Sequence, residues 1–116
     1  MRLPVAAILG TALLAGGARA DTLTVTLTDL SMTIGTTPVA CAPTDASRRT
    51  LFIENPGSGN VGYCVGATCA PSIGNPGTST LQPGQADFWP SGSAPSQPLW
   101  CVAANASAPV TIRSGK

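Results

Sequence analysis

Thr22-Leu23-Thr24-Val25-Thr26-Leu27-Thr28 alternates strictly between threonine and an aliphatic residue. Period two is the repeat of a pleated strand, in which successive side chains point to opposite faces. A helix made of these residues would crowd β-branched side chains against the preceding turn. The stretch is therefore expected to be a strand with Leu23, Val25 and Leu27 on a buried face and the threonines on a wet one. Leu30, Met32 and Ile34 alternate on even positions, so the phase flips at Asp29, and a bulge or tight turn is expected there.

The same pattern recurs down the chain. Val39-Ala40-Cys41 is a short third piece, and Arg49 to Glu54 is a strand with Leu51 and Ile53 inward and Phe52 on the opposite side. Val61 to Val65 follows as a strand, Gly66-Ala67-Thr68 as its turn, and Cys69 begins the return. Leu81 to Gln85 is a turn feeding Ala86 to Trp89, and Leu99 to Ala103 and Val110 to Arg113 are the last strands. Asn55-Pro56-Gly57 and Asn75-Pro76-Gly77 reuse one turn chemistry, since proline presets its backbone angle and glycine permits a positive one. Seven or eight short strands at turn-rich spacing indicate an all-β fold, a small antiparallel β-sandwich or jelly-roll-like domain.

Such a domain has a modest core, because large apolar residues come only in short runs among glycine, proline, serine, threonine and alanine. Covalent staples compensate. The four cysteines, Cys41, Cys64, Cys69 and Cys101, form an even set that reads as two disulfides. Of the three pairings, Cys64 with Cys69 across a short turn and Cys41 with Cys101 between early and late strands are favoured. A four-thiolate zinc site needs close pairs of the C-x2-C kind, and this spacing lacks them.

Disulfides require an oxidising compartment, and the amino end supplies a route to one. Arg2 is a short positive start, Val5 to Leu14 is apolar apart from Gly10 and Thr11, and Ala18-Arg19-Ala20 places small residues before Asp21. Residues 1–20 are thus expected to be a cleaved signal peptide, with 21–116 a single disulfide-stapled domain. The apolar run is too short for a bilayer span, which takes roughly 20 residues, so no membrane span is expected in the mature chain. After cleavage, Arg48, Arg49, Arg113 and Lys116 face Asp21, Asp29, Asp45, Glu54 and Asp87, a formal charge of minus one. That balance gives no footprint for nucleic acid. Arg48-Arg49 reads as an ordinary polar edge before a strand. The location expected is secreted, cell-surface or periplasmic.

The chain contains no histidine, which removes the usual proton shuttle near neutral pH and the imidazole-based nucleophile arrangements. Glu54 is the only glutamate, and no spacing sets two carboxylates together for glycoside chemistry. Neither a phosphate loop nor a calcium loop is present. No catalytic residue, metal site or cofactor is expected, and the chain is read as a non-enzyme. Asn105-Ala106-Ser107 matches the acceptor pattern for asparagine glycosylation.

Recognition then falls to the aromatics. Phe52, Tyr63, Phe88, Trp89 and Trp100 are the candidate contact surface, because exposed rings give rigid contact area and stack on sugars or fill pockets. Phe88 and Trp89 are adjacent, so on a strand they face opposite ways; Trp100 likewise faces away from Cys101.

Arg48 to Asn55, Gly62-Tyr63-Cys64-Val65-Gly66, Leu81-Gln82-Pro83-Gly84 and Trp100 to Ala104 together resemble small β-sandwich accessory proteins of bacteriophage particles. The likeness spans roughly residues 33 to 113. It implies capsid decoration or a fibre or spike role, a symmetric oligomer, and no catalytic residues to carry over. The export signal and the two disulfides depart from that pattern and point to an exported form. The expectation is a non-catalytic structural or assembly protein, a subunit of an extracellular fibre or oligomer that self-associates through strand edges. The alternatives are a carbohydrate- or protein-binding module using exposed aromatics, with a surface glycan or protein partner, and a secreted inhibitor or effector.

Overall fold

A computed structural model describes residues 25–116; the expected signal peptide, residues 1–20, and Leu23 lie outside the described residues. The strands are β1 (Leu27–Asp29), β2 (Met32–Ile34), β3 (Val39–Ala42), β4 (Thr50–Glu54), β5 (Val61–Val65), β6 (Ser79–Leu81), β7 (Ala86–Trp89), β8 (Leu99–Ala103) and β9 (Ala108–Gly115). β1 and β2 both pair with β9 in a sheet ordered β1-β9-β4-β7, and the second sheet runs β3-β8-β5-β6. If β1 and β2 count as one interrupted strand, the antiparallel partners are first with last, second with seventh, third with sixth and fourth with fifth. This nested hairpin wrapped over two sheets is a jelly-roll order within a β-sandwich.

Leu51, Ile53, Val110 and Ile112 from one sheet meet Val61, Leu81, Leu99 and Cys101 from the other, all buried. The two cross-links are Cys41 to Cys101 and Cys64 to Cys69, with Cα separations of 5.7 and 6.2 Å. The first joins β3 to its neighbour β8, where the register shifts between Ala40 and Ala42.

Two local expectations need correction. Cys69 does not begin a return strand: residues 66–78 form a loop, and β6 starts at Ser79 to pair with β5. That loop lies over the outer face of the second sheet. A Cβ on Gly62 would sit 2.8 Å from Thr78 Cγ2 and 3.0 Å from Ile73 Cγ1, so only glycine lets the loop approach, and Cys64 and Val102 are buried.

The second correction concerns Asp29. No residue is inserted there, since Asp29 pairs with Arg113 and Met32, three residues on, pairs with Val110, three residues back. The ladder is interrupted instead by side chains: Ser31 N–H donates to Asp29 Oδ1 at 2.9 Å, and Ile112 N–H donates to Ser31 Oγ at 3.1 Å. Because the register is continuous, the even residues share the inward face of Val110, Ile112 and Ser114. Leu27, opposite Gly115, therefore points outward and is 62% exposed. For the described residues Val25 and Leu27, the aliphatic side of the first strand is an outer face and not a core face.

Candidate functional site

Five aromatic residues were candidates for one contact surface, and the fold separates them. On β4, Leu51 and Ile53 are fully buried and Phe52 between them turns outward. Phe52 stands directly opposite Phe88 of β7, and Phe88 is 61% exposed. Trp89, the next residue, turns inward against the core. Tyr63 is 5% exposed and meets Trp89 edge-on, with ring centroids 5.8 Å apart. Trp100 is half-buried, its side chain on the outer side of the second sheet, and its Nε1–H finds no acceptor among the described residues. Only Phe52 and Phe88 come together on the surface.

Those two rings belong to a larger patch that the aromatic count alone misses. The outer face of the first sheet carries, in adjacent rows, Leu27, Gly115 and Thr50, then Asp29, Arg113, Phe52 and Phe88, then Thr111, Glu54 and Ala86. Leu27, Thr50, Phe52, Phe88 and Arg113 line a shallow groove of about 210 Å³. Gly115 is buried at one end beneath the side chains of Thr50, Val25 and Leu27: a Cβ there would strike Thr50 Oγ1, Val25 Cγ1 at 2.6 Å and Leu27 Cδ2 at 3.2 Å. The result is a groove in which Leu27, Phe52 and Phe88 surround the guanidinium of Arg113, with the carboxylates of Asp29 and Glu54 at its margins. Asp29 is held below the ordinary carboxylate range by its hydrogen bonds from Ser31, with a smaller contribution from the charge of Arg113.

The two arginines before β4 are not one polar edge. Arg49 is exposed, whereas Arg48 is 6% exposed. Its Nε donates to Ser114 Oγ at 3.1 Å, Nη1 to the carbonyls of Pro95 and Gln97 at 3.0 and 3.2 Å, and Nη2 to that of Pro43 at 2.5 Å. Four donors thus fasten the loops before β4 and before β8 to β9. Burial lowers the guanidinium's pKa, and the charge of Asp45 partly opposes this. Asp45 is itself paired with Lys116 at 3.2 Å and is held below its ordinary value chiefly by hydrogen bonds from Ser47.

The other short motifs are also structural. Asn55 is fully buried; its Nδ2 donates to the carbonyls of Gly59 and Leu81, and its Oδ1 accepts from Gly57 N–H. Its backbone is tied to Gly84 and Gln85 of the Leu81-Gln82-Pro83-Gly84 turn. Asn75, in the echoing tripeptide, is exposed, so the repeat is one of turn chemistry. Tyr63 O–H donates to Asp87 Oδ2, and its pKa is raised to about 12, first by burial and then by that carboxylate. Asn105 and Ser107 lie on the exposed turn between β8 and β9.

Among the described residues, no group of three or more histidine, cysteine, aspartate or glutamate side chains is arranged to hold a metal. Nor is any helix among them long and apolar enough to cross a membrane. No protein-family model, curated protein or solved structure matches the chain. Nothing in these comparisons ties it to bacteriophage accessory proteins, and what stands is a small all-β domain carrying disulfides.

Proposed function

We propose that the chain is a non-catalytic structural module, exported with residues 1–20 as a cleaved signal and working from Asp21 onward as a subunit of an extracytoplasmic oligomer or fibre. The observation that carries the reading is the contrast between the two outer faces. One is covered at its centre by the chain's own loop over Gly62, while the other leaves Leu27 and Phe88 more than half exposed around Phe52. Contiguous apolar surface with a polar margin is characteristic of an interaction site. Among the described residues, the outer flank of β1 pairs with no strand, which adds backbone donors and acceptors along the same margin. The chemistry of the buried groups points the same way: Arg48 and Asn55 spend their donors on carbonyl and hydroxyl oxygens of the fold, and Tyr63 spends its hydroxyl on Asp87.

A glycan-binding role has less support. Tyr63 and Trp89, which pair a ring with a polar atom, are turned away from the surface, leaving phenylalanines that offer stacking but no hydrogen bond. The test is light scattering combined with non-reducing mass measurement on protein recovered from the export compartment. The expected result is a chain beginning at Asp21, four protons lighter than its fully reduced mass, whose particle mass grows with concentration. A monomer at every concentration, or free thiols, refutes the reading.

A further inference from the structure

We propose that Cys64–Cys69 is a reducible latch: a dithiol opens it while Cys41–Cys101 stays closed, and the loop over Gly62 then lifts from the outer face of the second sheet. This goes beyond the assembly reading and stands whether or not the chain self-associates. The two cross-links sit in unlike places. Cys41 and Cys101 are both buried within the core, so a thiol reaches them only when the sandwich itself opens. Cys64 is buried on β5, but its partner Cys69 is half-buried on the loop formed by residues 66–78.

The hydrogen bonds show what else holds that loop. At one end Gly66 N–H donates to the Pro98 carbonyl at 3.0 Å, and at the other Ser79 enters β6 opposite Tyr63. Between these points, the bonds seen among the described residues stay inside the loop. Ser72 N–H donates to Thr78 Oγ1 at 2.9 Å, Asn75 N–H to the Ser72 carbonyl at 3.0 Å, and Thr78 N–H to the Asn75 carbonyl at 3.2 Å. The segment therefore carries its own shape. It is fixed to the sheet by the cross-link, by buried Pro71, and by Ile73 and Thr78 over Gly62. Ile73 and Thr78 are themselves only half-buried. A self-bonded flap with few buried apolar contacts belongs to the part of a fold that opens locally, once its covalent pin is released.

The opening step is thiol–disulfide exchange. A thiolate of the dithiol attacks Cys69 Sγ, the Cys64–Cys69 bond breaks, and Cys64 leaves as a thiolate. The second sulfur of the dithiol then attacks the mixed disulfide and releases Cys69. The two protons lost by the dithiol end on Cys64 and Cys69, two electrons pass to the protein, and the dithiol becomes a disulfide.

Titration of the exported protein, both disulfides intact, with dithiothreitol tests this. Alkylation and mass measurement follow each cystine, circular dichroism follows the sheets, and thermolysin cleavage before Ile73 follows the loop. Cys64 and Cys69 are expected to be alkylated first, with Cys41–Cys101 and the dichroism unchanged. Cleavage is expected to rise about tenfold or more, the order set by releasing a short cross-linked loop, and to fall back on reoxidation. The double variant Cys64→Ser with Cys69→Ser is expected to be cleaved at the faster rate without any dithiol.

Reduction of both cystines together, or loss of the sheet signal as Cys64 and Cys69 become free, overturns the selective latch. Selective reduction with no change in cleavage, or a double variant cleaved as slowly as the oxidised wild type, overturns the lifting of the loop. The particle mass decides the assembly reading separately and does not enter this test.

Discussion

Neighbouring residues of one chemical type take opposite roles in this molecule, and Arg48 and Arg49 show it most sharply. Arg48 is buried with four hydrogen bonds to carbonyl and hydroxyl oxygens, whereas Arg49 is exposed. Removing a buried charged donor leaves its acceptors unpaired as well as deleting the bonds. Arg48→Ala is expected to cost about 3 kcal/mol in chemical denaturation, with Arg49→Ala within about 0.5 kcal/mol of wild type; equal effects contradict the assignment. Nothing in the dipeptide foretells this, because the carbonyls that receive Arg48 come from loops near Pro43, Pro95 and Gln97.

The single tyrosine provides a second residue-scale test. Its neutral form is favoured by burial and by Asp87, which raises the folded pKa to about 12 from an ordinary value of 10.0. The stability it contributes is therefore complete below pH 10 and is lost as pH rises from 10 to about 12. Phenolate absorbance is expected to have a midpoint near 12 in the folded protein and near 10 after denaturation. Ionisation of the folded protein near 10 contradicts the buried hydrogen bond.

At the scale of elements, strand positions were readable because period two survives in short pieces. Leu51 and Ile53 lie inward with Phe52 outward, and Phe88 and Trp89 part to opposite faces, as alternation demands. Alternation says only that two faces differ, however, and cannot say which is the core. For the first strand that choice is made by β9, where Val110, Ile112 and Ser114 face inward and fix the even residues of β1 and β2 beside them. The apparent phase flip at Asp29 is thus a change in which side is apolar, while the register continues. The cover over Gly62 was illegible for another reason: residues 66–78 form no ladder and have no period.

The disulfides also belong to this scale. Cys41–Cys101 closes a separation of 60 residues and Cys64–Cys69 one of 5. Loop-closure entropy then assigns about 4 kcal/mol to the first and about 2 to the second. Replacing each pair by alanine and comparing unfolding midpoints is expected to show the long link as the costlier loss. A greater loss from the short one contradicts the entropic explanation.

For the whole molecule, the nested pairing of strands brings the first described strand beside the last, and this creates the exposed patch. Leu27 and Phe88 lie 61 residues apart in sequence yet line one groove. The jelly-roll order was within reach of the sequence as a class, since strand count and turn spacing favour a sandwich. The composition of the patch was not, because it depends on which strands meet. Fold alone does not assign function; what favours assembly here is one outer face covered at its centre by the chain's own loop and another left open around Leu27, Phe52 and Phe88.

Oxidative footprinting of the native protein at low and high concentration addresses that claim most directly. Self-association through the open face predicts that Phe88, Phe52 and Leu27 become protected as concentration rises while Trp100, on the other sheet, does not change. Labelling of Phe88 and Leu27 that is the same at both concentrations would contradict it.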